Sequence, residues 1–217
     1  MKKTAEREFS RWWLIGLVNF LFGFAVQGSI IFIPLLGAQL GASDFQIGMI
    51  GALYGGSYLV SSLISGWKSD KLGRLLFVRW GLLLSSAAFA AQLLAGSILV
   101  LAVVRGVVGF SLGIASAAFI AYAFEAGADM GKYSSYGSLG WIFGALGAAL
   151  VGDIHLLFWL SFLVCLAAFL ISLFFKDVPS YRSSLPPRLW PVLIRNYRIY
   201  LAVFLRHLGA TAVWIIL

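Results

Sequence analysis

The stretch that decides the fold is Gly66-Trp67-Lys68-Ser69-Asp70-Lys71-Leu72-Gly73-Arg74, a short charged segment between two long apolar runs. Its glycines permit a very tight turn in which the two flanking helices almost touch. Asp70 is placed to cap backbone donors or to meet the N-terminus of a helix, and Arg74 is placed to pair with a carboxylate. The segment therefore predicts two closely apposed helices joined by a charged turn.

The composition on either side of this segment is that of a membrane protein. Of the 217 residues, 61% are hydrophobic and 11% are charged, against roughly a quarter charged in an ordinary soluble domain. Seven apolar runs are long enough to cross a bilayer, and they cover 12–36, 47–67, 75–94, 97–124, 134–152, 155–175 and 199–217. Because the runs are continuous and never alternate polar with apolar residues, we predict an all-α, polytopic membrane helical bundle and no β-barrel.

The positions of the basic residues predict the orientation of the chain. All of the 16 Lys and Arg residues except Arg105 and Arg206 lie before the first run or around the gaps after the second, fourth and sixth runs. Basic loops stay on the cytoplasmic side, so we expect a multi-pass protein of the cell membrane with a cytoplasmic N-terminus. The same cations suit anionic headgroups, which makes membrane lipid an expected partner. Nucleic acid is not expected as a partner.

Glycines recur inside several runs at spacings of three and four, which places them on one face of a helix. Such small faces let helices pack closely in lipid, where hydrophobic exclusion does not drive association. The glycines that we assign to helix packing are Gly109, Gly113, Gly140, Gly144 and Gly147.

The charged turn also has the spacing Gly-x-x-x-Asp-(Arg or Lys)-x-Gly-Arg. Five positions carry it: Gly66, Asp70, Lys71, Gly73 and Arg74. This spacing, between the second and third runs, resembles the signature loop of the major facilitator superfamily of transporters. In that family the loop forms a cytoplasmic gate, in which the Asp faces a helix of the other half and the Arg pairs with an acid near the inner end of the fourth span. The resemblance implies Glu125 as that partner.

The resemblance also implies the domain organisation. The family has two six-helix halves, each a pair of inverted three-helix repeats, with the substrate site between the halves near the membrane midplane. We therefore expect a cytoplasmic tail at 1–11, an N-terminal six-helix bundle at 12–176, a cytoplasmic linker between the halves at 177–198, and the first helix of a C-terminal bundle at 199–217. On this interpretation the sequence is a fragment of a longer protein.

Secondary active transport of a small solute by alternating access is the function that the resemblance implies. The polar and aromatic positions available for cargo or coupling are Asn19, Gln27, Tyr54, Tyr58, Arg105, Ser138, Trp141, Arg206 and His207. An arginine inside the bilayer costs at least about 2.5 kcal/mol unless it faces a cavity or a partner, so Arg105 is either a functional residue or a strut between helices. Because Arg105 and Arg206 have no matching acid inside the runs, charge complementarity favours an organic anion or metabolite as cargo.

Two other functions stay open. The first is a proton-coupled drug efflux antiporter, because Gly131, Gly140 and Gly144 keep the separations of the family's antiporter signature. Ala145 replaces the proline of that signature, and the first six runs have no interior Asp or Glu to carry a proton. A coupled proton or other ion would then need the second half, a span end or His207, whose alternative role is packing. The second function is a non-transporting membrane sensor or assembly factor on the same scaffold.

Catalysis is not expected. An enzyme would need a nucleophile beside a base, or a metal cluster, but His155 and His207 are remote in sequence and Cys165 has no evident partner. The sequence predicts neither a cofactor nor a metal site.

Overall fold

The computed structural model describes residues 2–178, 191, 194–198, 201, 202 and 205, with side chains described from residue 12 onward. In residues 2–178 all the regular elements are helical, which confirms the predicted all-α fold. They are α1 (Lys2–Ile30), α2 (Ile33–Gln39), α3 (Asp44–Leu72), α4 (Arg74–Ala91), a 3₁₀ turn at Gln92–Leu94, α5 (Ile98–Glu125), α6 (Met130–Val151) and α7 (Ile154–Ser172).

Six stretches of these helices are long and apolar enough to cross a membrane, the first being Trp12–Gln39, which combines the end of α1 with α2. The other five are α3, α4 with the 3₁₀ turn, α5, α6 and α7. All of them belong to the first of two compact units, which divide at Arg182 and Ser183. The predicted seventh run, with Arg206 and His207, lies outside the described residues apart from residues 201, 202 and 205.

Local sequence signals set the helix ends, which differ by a few residues from the predicted runs. Ser43 and Gln46 form a capping box that starts α3. Asp129 and Asp153 accept backbone hydrogen bonds at the starts of α6 and α7. Pro34 occupies the first turn of α2, a position that proline favours, so the first span is interrupted instead of continuous. The predicted tail at 1–11 continues the first helix, because α1 begins at Lys2.

In the contacts between helices, the first three spans and the last three spans take equivalent positions. The most extensive contacts join α3 with α5 and α1 with α6, followed by α4 with α5, α1 with α7 and α4 with α7. Exchanging the first three spans (α1, α3, α4) with the last three (α5, α6, α7) turns four of these pairs into one another and leaves the fifth, α4 with α7, unchanged. This is the contact pattern expected of two related three-helix repeats.

The α3–α5 contact depends on two glycines of the fourth span. A side-chain carbon at Gly109 would collide with the carbonyl oxygen of Tyr54, and one at Gly113 with the carbonyl oxygen of Tyr58 and the hydroxyl of Ser61. Because carbonyl oxygens of α3 occupy this space, the two helices could not approach as closely with any other residue at these positions.

The α1–α6 contact uses the glycines of the fifth span in the same way. A side-chain carbon at Gly140 would collide with the carbonyl oxygen of Phe20, and one at Gly144 would lie 2.6 Å from that of Phe24. A carbon added at Gly147 would lie 3.0 Å from the ring of Phe24. The glycines of the second run behave differently, since no atom lies within 4 Å of a carbon added at Gly48, Gly51, Gly55 or Gly56.

The turn between α3 and α4 is a single residue, Gly73, with φ of +104°. We expect Gly73→Ala to lower the free energy of unfolding by about 1–2 kcal/mol, because a Cβ is strained in this region. Gly66→Ala is the matched control, since Gly66 is helical and an added carbon meets nothing within 4 Å. Denaturant unfolding in detergent measures both variants. Equal losses of stability in the two would contradict the prediction.

Candidate functional site

Gly73 ends α3 and starts α4 without an intervening loop. Its N–H donates to the carbonyl oxygen of Ser69 at 3.1 Å, which closes the last turn of α3. Gly66, which the sequence suggested as a second turn residue, lies inside α3, so only Gly73 makes the turn. We call the end of the bundle where this turn lies, together with the C-terminal ends of α5 and α7, the Gly73 end.

Arg74 is the centre of a polar cluster at the Gly73 end. Its Nε and Nη2 both donate to Oε1 of Glu125 at 3.1 Å. Its Nη1 donates to the hydroxyl of Ser69 at 2.8 Å and to the carbonyl oxygen of Gly66 at 3.2 Å, and it forms an ion pair with Asp70. One guanidinium group therefore ties together the end of α3, the start of α4 and the end of α5.

The cluster is largely shielded from solvent. The side chains of Arg74 and Glu125 are 14% and 15% exposed, so their attraction is screened less than that of a surface pair. Both bonds from Arg74 use Oε1 of Glu125, while Oε2 is buried and has no hydrogen-bond partner among the described residues. This carboxylate therefore keeps a free acceptor oxygen.

Two residues beside the cluster do not have the place in the site that the sequence predicts. Ser69, which was not predicted as a site residue, is fully buried and accepts from Arg74. Its type and its position one residue before Asp70 give no signal, because serines of apolar helices usually bond to their own helix, as Ser69 also does to Gly66. Lys71 is directed elsewhere, with Nζ 4.8 Å from the centre of the Trp67 ring.

Arg105 lies in the second turn of α5 and is 2% exposed. Its Nη1 donates to Oε1 of Gln92 at 3.0 Å, and its guanidinium carbon lies 4.4 Å from the centre of the Tyr54 ring. An arginine only donates, so Gln92 must turn its oxygen to Arg105 and its amide nitrogen away. That nitrogen is buried without a partner among the described residues. No acidic side chain pairs with Arg105 in the same part of the chain.

Gln92 was missed by the sequence analysis because it lies at the end of an apolar run, where a single amide does not change the hydropathy. Arg105 and Glu125 lie on the same helix, so their backbones are about 30 Å apart along its axis. The buried arginine and the Arg74 cluster are therefore separate features near opposite ends of the bundle.

The other predicted cargo residues are distributed over the bundle. Asn19 is buried and donates from Nδ2 to the carbonyl oxygen of Tyr133 at 2.7 Å, which joins α1 to α6. Gln27 is buried against Gly144. Tyr58 is half-buried on α3, while Ser138 and Trp141 are exposed on α6. The structure thus brings Tyr54 to Arg105, and it uses Asn19 to join two helices.

The sequence profile described as MFS_1: Major Facilitator Superfamily matches residues 15–217. The chain belongs to the major facilitator superfamily. Membership in this transporter family makes it a multi-pass membrane protein, in agreement with the six apolar helices. No curated protein sequence matches the chain.

Two solved structures share the major facilitator fold of this chain. One is the human organic anion transporter MFSD10 (TETRAN), with a TM-score of 0.62 and 19% identity over 83% of this chain and 52% of that one. Another is a mutant form of the peptide transporter POT, with a TM-score of 0.64 and 20% identity over 93% of this chain and 47% of that one. The chain therefore spans about half the length of these transporters.

Proposed function

We propose that this chain supplies the N-terminal half of a secondary active transporter, which moves a small solute by alternating access. The observation that carries the proposal is the shielded Arg74–Glu125 pair. It joins the start of α4 to the end of α5, and Arg74 also binds the end of α3. A rocking carrier needs such an interaction at one end of the bundle, where it forms in one state and breaks in the other. Arg74, Glu125 and Asp70 would then be the gate of this carrier.

The exposed faces of the bundle support a second half. Of the six spans, α3 and α6 have the smallest buried share, and α3 presents its glycines on an open face. A lipid-facing helix has no need of such a face, whereas a closely packed helix does. We place the linker at 177–198 and the first helix of the second half at 199–217. The half-length match to the two solved transporters supports this arrangement.

The distribution of charge supports a cytoplasmic gate. Lys68, Lys71, Arg79 and Lys132 all lie near the Gly73 end, and the loops at the other end, 40–43, 95–97 and 152–153, contain no Lys or Arg. Since basic loops stay on the cytoplasmic side, we place the Gly73 end and the N-terminus on the cytoplasmic side of the cell membrane.

The proposed cargo is a small organic anion or metabolite. Arg105 places a positive charge in the half of the bundle that is remote from the Gly73 end. Its described partners, Gln92 and the Tyr54 ring, are both uncharged. A buried charge without a counter-charge is costly. An anionic group of the cargo would supply the missing charge when Tyr54 or Gln92 moves during the transport cycle.

Flux into proteoliposomes tests both the proposed transport activity and the proposed anionic cargo. We expect the full-length protein to accumulate radiolabelled organic anions in preference to neutral sugars. We expect Arg105→Gln to reduce uptake at least about tenfold, because a charge-assisted hydrogen bond contributes about 1.5–3 kcal/mol. Unchanged detergent solubility and size-exclusion behaviour of the variant would show that it folds.

The alternative outcomes are distinct. Uptake of neutral sugars without organic anions would refute the anionic cargo, and unaltered uptake by Arg105→Gln would make Arg105 a strut. Absence of any directional flux would refute the transporter and leave the sensor or assembly factor.

A further inference from the structure

The chain turns back on the bundle directly after α7. The N–H groups of residues 173–175 donate to the carbonyl oxygens of 170–172 at 3.1 to 3.2 Å, which forms a tight turn at the Gly73 end. Residues 173–178, here called the strap, continue from this turn across the ends of α4 and α5. The strap belongs to the first compact unit, and its last two residues, 177 and 178, are the first two of the proposed linker.

Arg79 of α4 binds the backbone of the strap and of the last turn of α7. Its Nη2 donates to the carbonyl oxygens of Leu173 and Phe175, both at 3.1 Å, and its Nε donates to that of Ser172 at 3.4 Å. The last carbonyls of a helix have no partner within the helix, and they favour a cation. The planar fork of arginine can reach several of them at once. Arg79 thus supplies donors to carbonyl oxygens at and just beyond the end of α7, which lies at Ser172, three residues before the end of the predicted run.

Aromatic stacking holds the middle of the strap. Phe175 is 5% exposed, and its ring stacks on Tyr122 at 5.4 Å and on Phe119 at 6.2 Å between centroids. The hydroxyl of Tyr122 donates to the carbonyl oxygen of Lys176 at 2.9 Å. The preceding residue, Phe174, is 77% exposed. Two adjacent phenylalanines therefore have opposite environments, which indicates docking of one specific side chain.

The strap binds the same two helices that the Arg74–Glu125 pair joins. Arg79 follows Arg74 by five residues on α4, and Tyr122 precedes Glu125 by three residues on α5. Arg79 and Tyr122 thus each lie within about one and a half helical turns of one partner of the ion pair. A helix is stiff over so short a distance, so separation of α4 from α5 at the strap must also separate the two charges.

We infer that the strap docks the start of the linker onto α4, α5 and α7 and holds α4 and α5 at the spacing that the Arg74–Glu125 pair requires. Release of the strap weakens the pair, so tension in the linker acts on the gate. The docking stands on the contacts alone, while its effect on transport rests on the proposed function.

Hydrogen exchange of the full-length protein in nanodiscs tests the docking. We expect Phe175→Ala to speed exchange at least about tenfold both in the strap amides 173–175 and in the amides 126–128 at the end of α5. Phe174→Ala is the matched control and should change both rates less than about twofold. Amides at the centre of α6 report global stability.

Several outcomes would overturn the inference. Wild-type strap amides that exchange at the rate of an unstructured chain would show that the strap does not dock. Equal effects of Phe174→Ala and Phe175→Ala would remove the specific role of Phe175. Faster exchange at 173–175 with no change at 126–128 would refute the coupling to α5.

A second variant keeps the test decisive if Phe175→Ala also speeds exchange in α6 and therefore unfolds the bundle. Arg79→Lys retains the positive charge but loses the fork that binds three carbonyl oxygens, so we expect the same local pattern at smaller size. No change in this variant at either amide set would overturn the docking by Arg79.

The flux assay then distinguishes failure of the link between strap and gate from failure of the proposed transport function. We expect Arg79→Lys to change turnover at least about threefold with little change in KM, because the strap acts on the gate and not on the cargo. A change in KM alone would refute the link to the gate. If the wild-type protein gives no flux, the transporter proposal fails, while hydrogen exchange still decides whether the strap docks.

Discussion

Gly113→Ala is expected to lower the free energy of unfolding by at least about 3 kcal/mol, the upper range for overpacking of a tight interior. The added carbon would overlap the carbonyl oxygen of Tyr58 and the hydroxyl of Ser61, both on α3. A backbone carbonyl cannot rotate away, so relief requires α3 and α5 to separate along their whole contact. Denaturant unfolding and size-exclusion profiles in detergent measure this loss.

The control for this prediction is Gly48→Ala on α3. Gly48, like Gly113, belongs to a series of glycines at spacings of three and four, but an added carbon there meets nothing within 4 Å in the bundle. Because no backbone of α5 lies against Gly48 and alanine favours a helix more than glycine does, we expect Gly48→Ala to leave the α3–α5 contact intact and to cost less stability than Gly113→Ala. Equal destabilisation by the two substitutions would show that α3 and α5 do not pack through Gly113.

Glu125→Gln is expected to slow transport turnover at least about tenfold with a smaller change in KM. The substitution keeps the shape of the side chain but removes the charge that receives two bonds from Arg74. A hydrogen bond between charged groups contributes about 1.5–3 kcal/mol, and tenfold corresponds to about 1.4 kcal/mol. Asp70→Asn should act on the same step, because Asp70 pairs with the same arginine. Initial rates in proteoliposomes at several cargo concentrations separate turnover from KM.

Asp129→Asn provides the control for the gate. Asp129 lies close to Glu125 in sequence, but its carboxylate caps α6 by accepting from the N–H groups of Gly131 and Lys132. Asparagine caps helices equally well, so turnover should stay at the wild-type value. Wild-type turnover in Glu125→Gln as well would rule out a gate at the Arg74–Glu125 pair.

Much of the fold could be predicted from the sequence, because hydropathy and caps act locally. The six spans of the described bundle match the first six apolar runs within a few residues, with ends set by Ser43, Asp129 and Asp153. The interruption at Pro34 was missed, since a window of about 19 residues averages over a single proline. The placement of Arg74 against Glu125 came from the family resemblance, and no local signal predicts it.

The polar partners inside the bundle could not be predicted. Gln92 and Ser69 are ordinary in composition and position, yet each receives a bond from a buried or shielded arginine. Likewise Phe174 and Phe175 are identical residues at adjacent positions, and only one of them is buried.

The sequence by itself determined the class of the protein, the number of its described spans and the concentration of cations beside the Gly73 turn. These follow from the cost of moving each segment from water into lipid, to which every residue contributes independently of its distant neighbours. Only the tertiary structure decided that Gly113 touches another helix while Gly48 does not, that Arg105 meets Gln92, and that the strap docks through Phe175. Such contacts depend on the rotation and spacing of whole helices, which are set jointly by the close packing of all six spans.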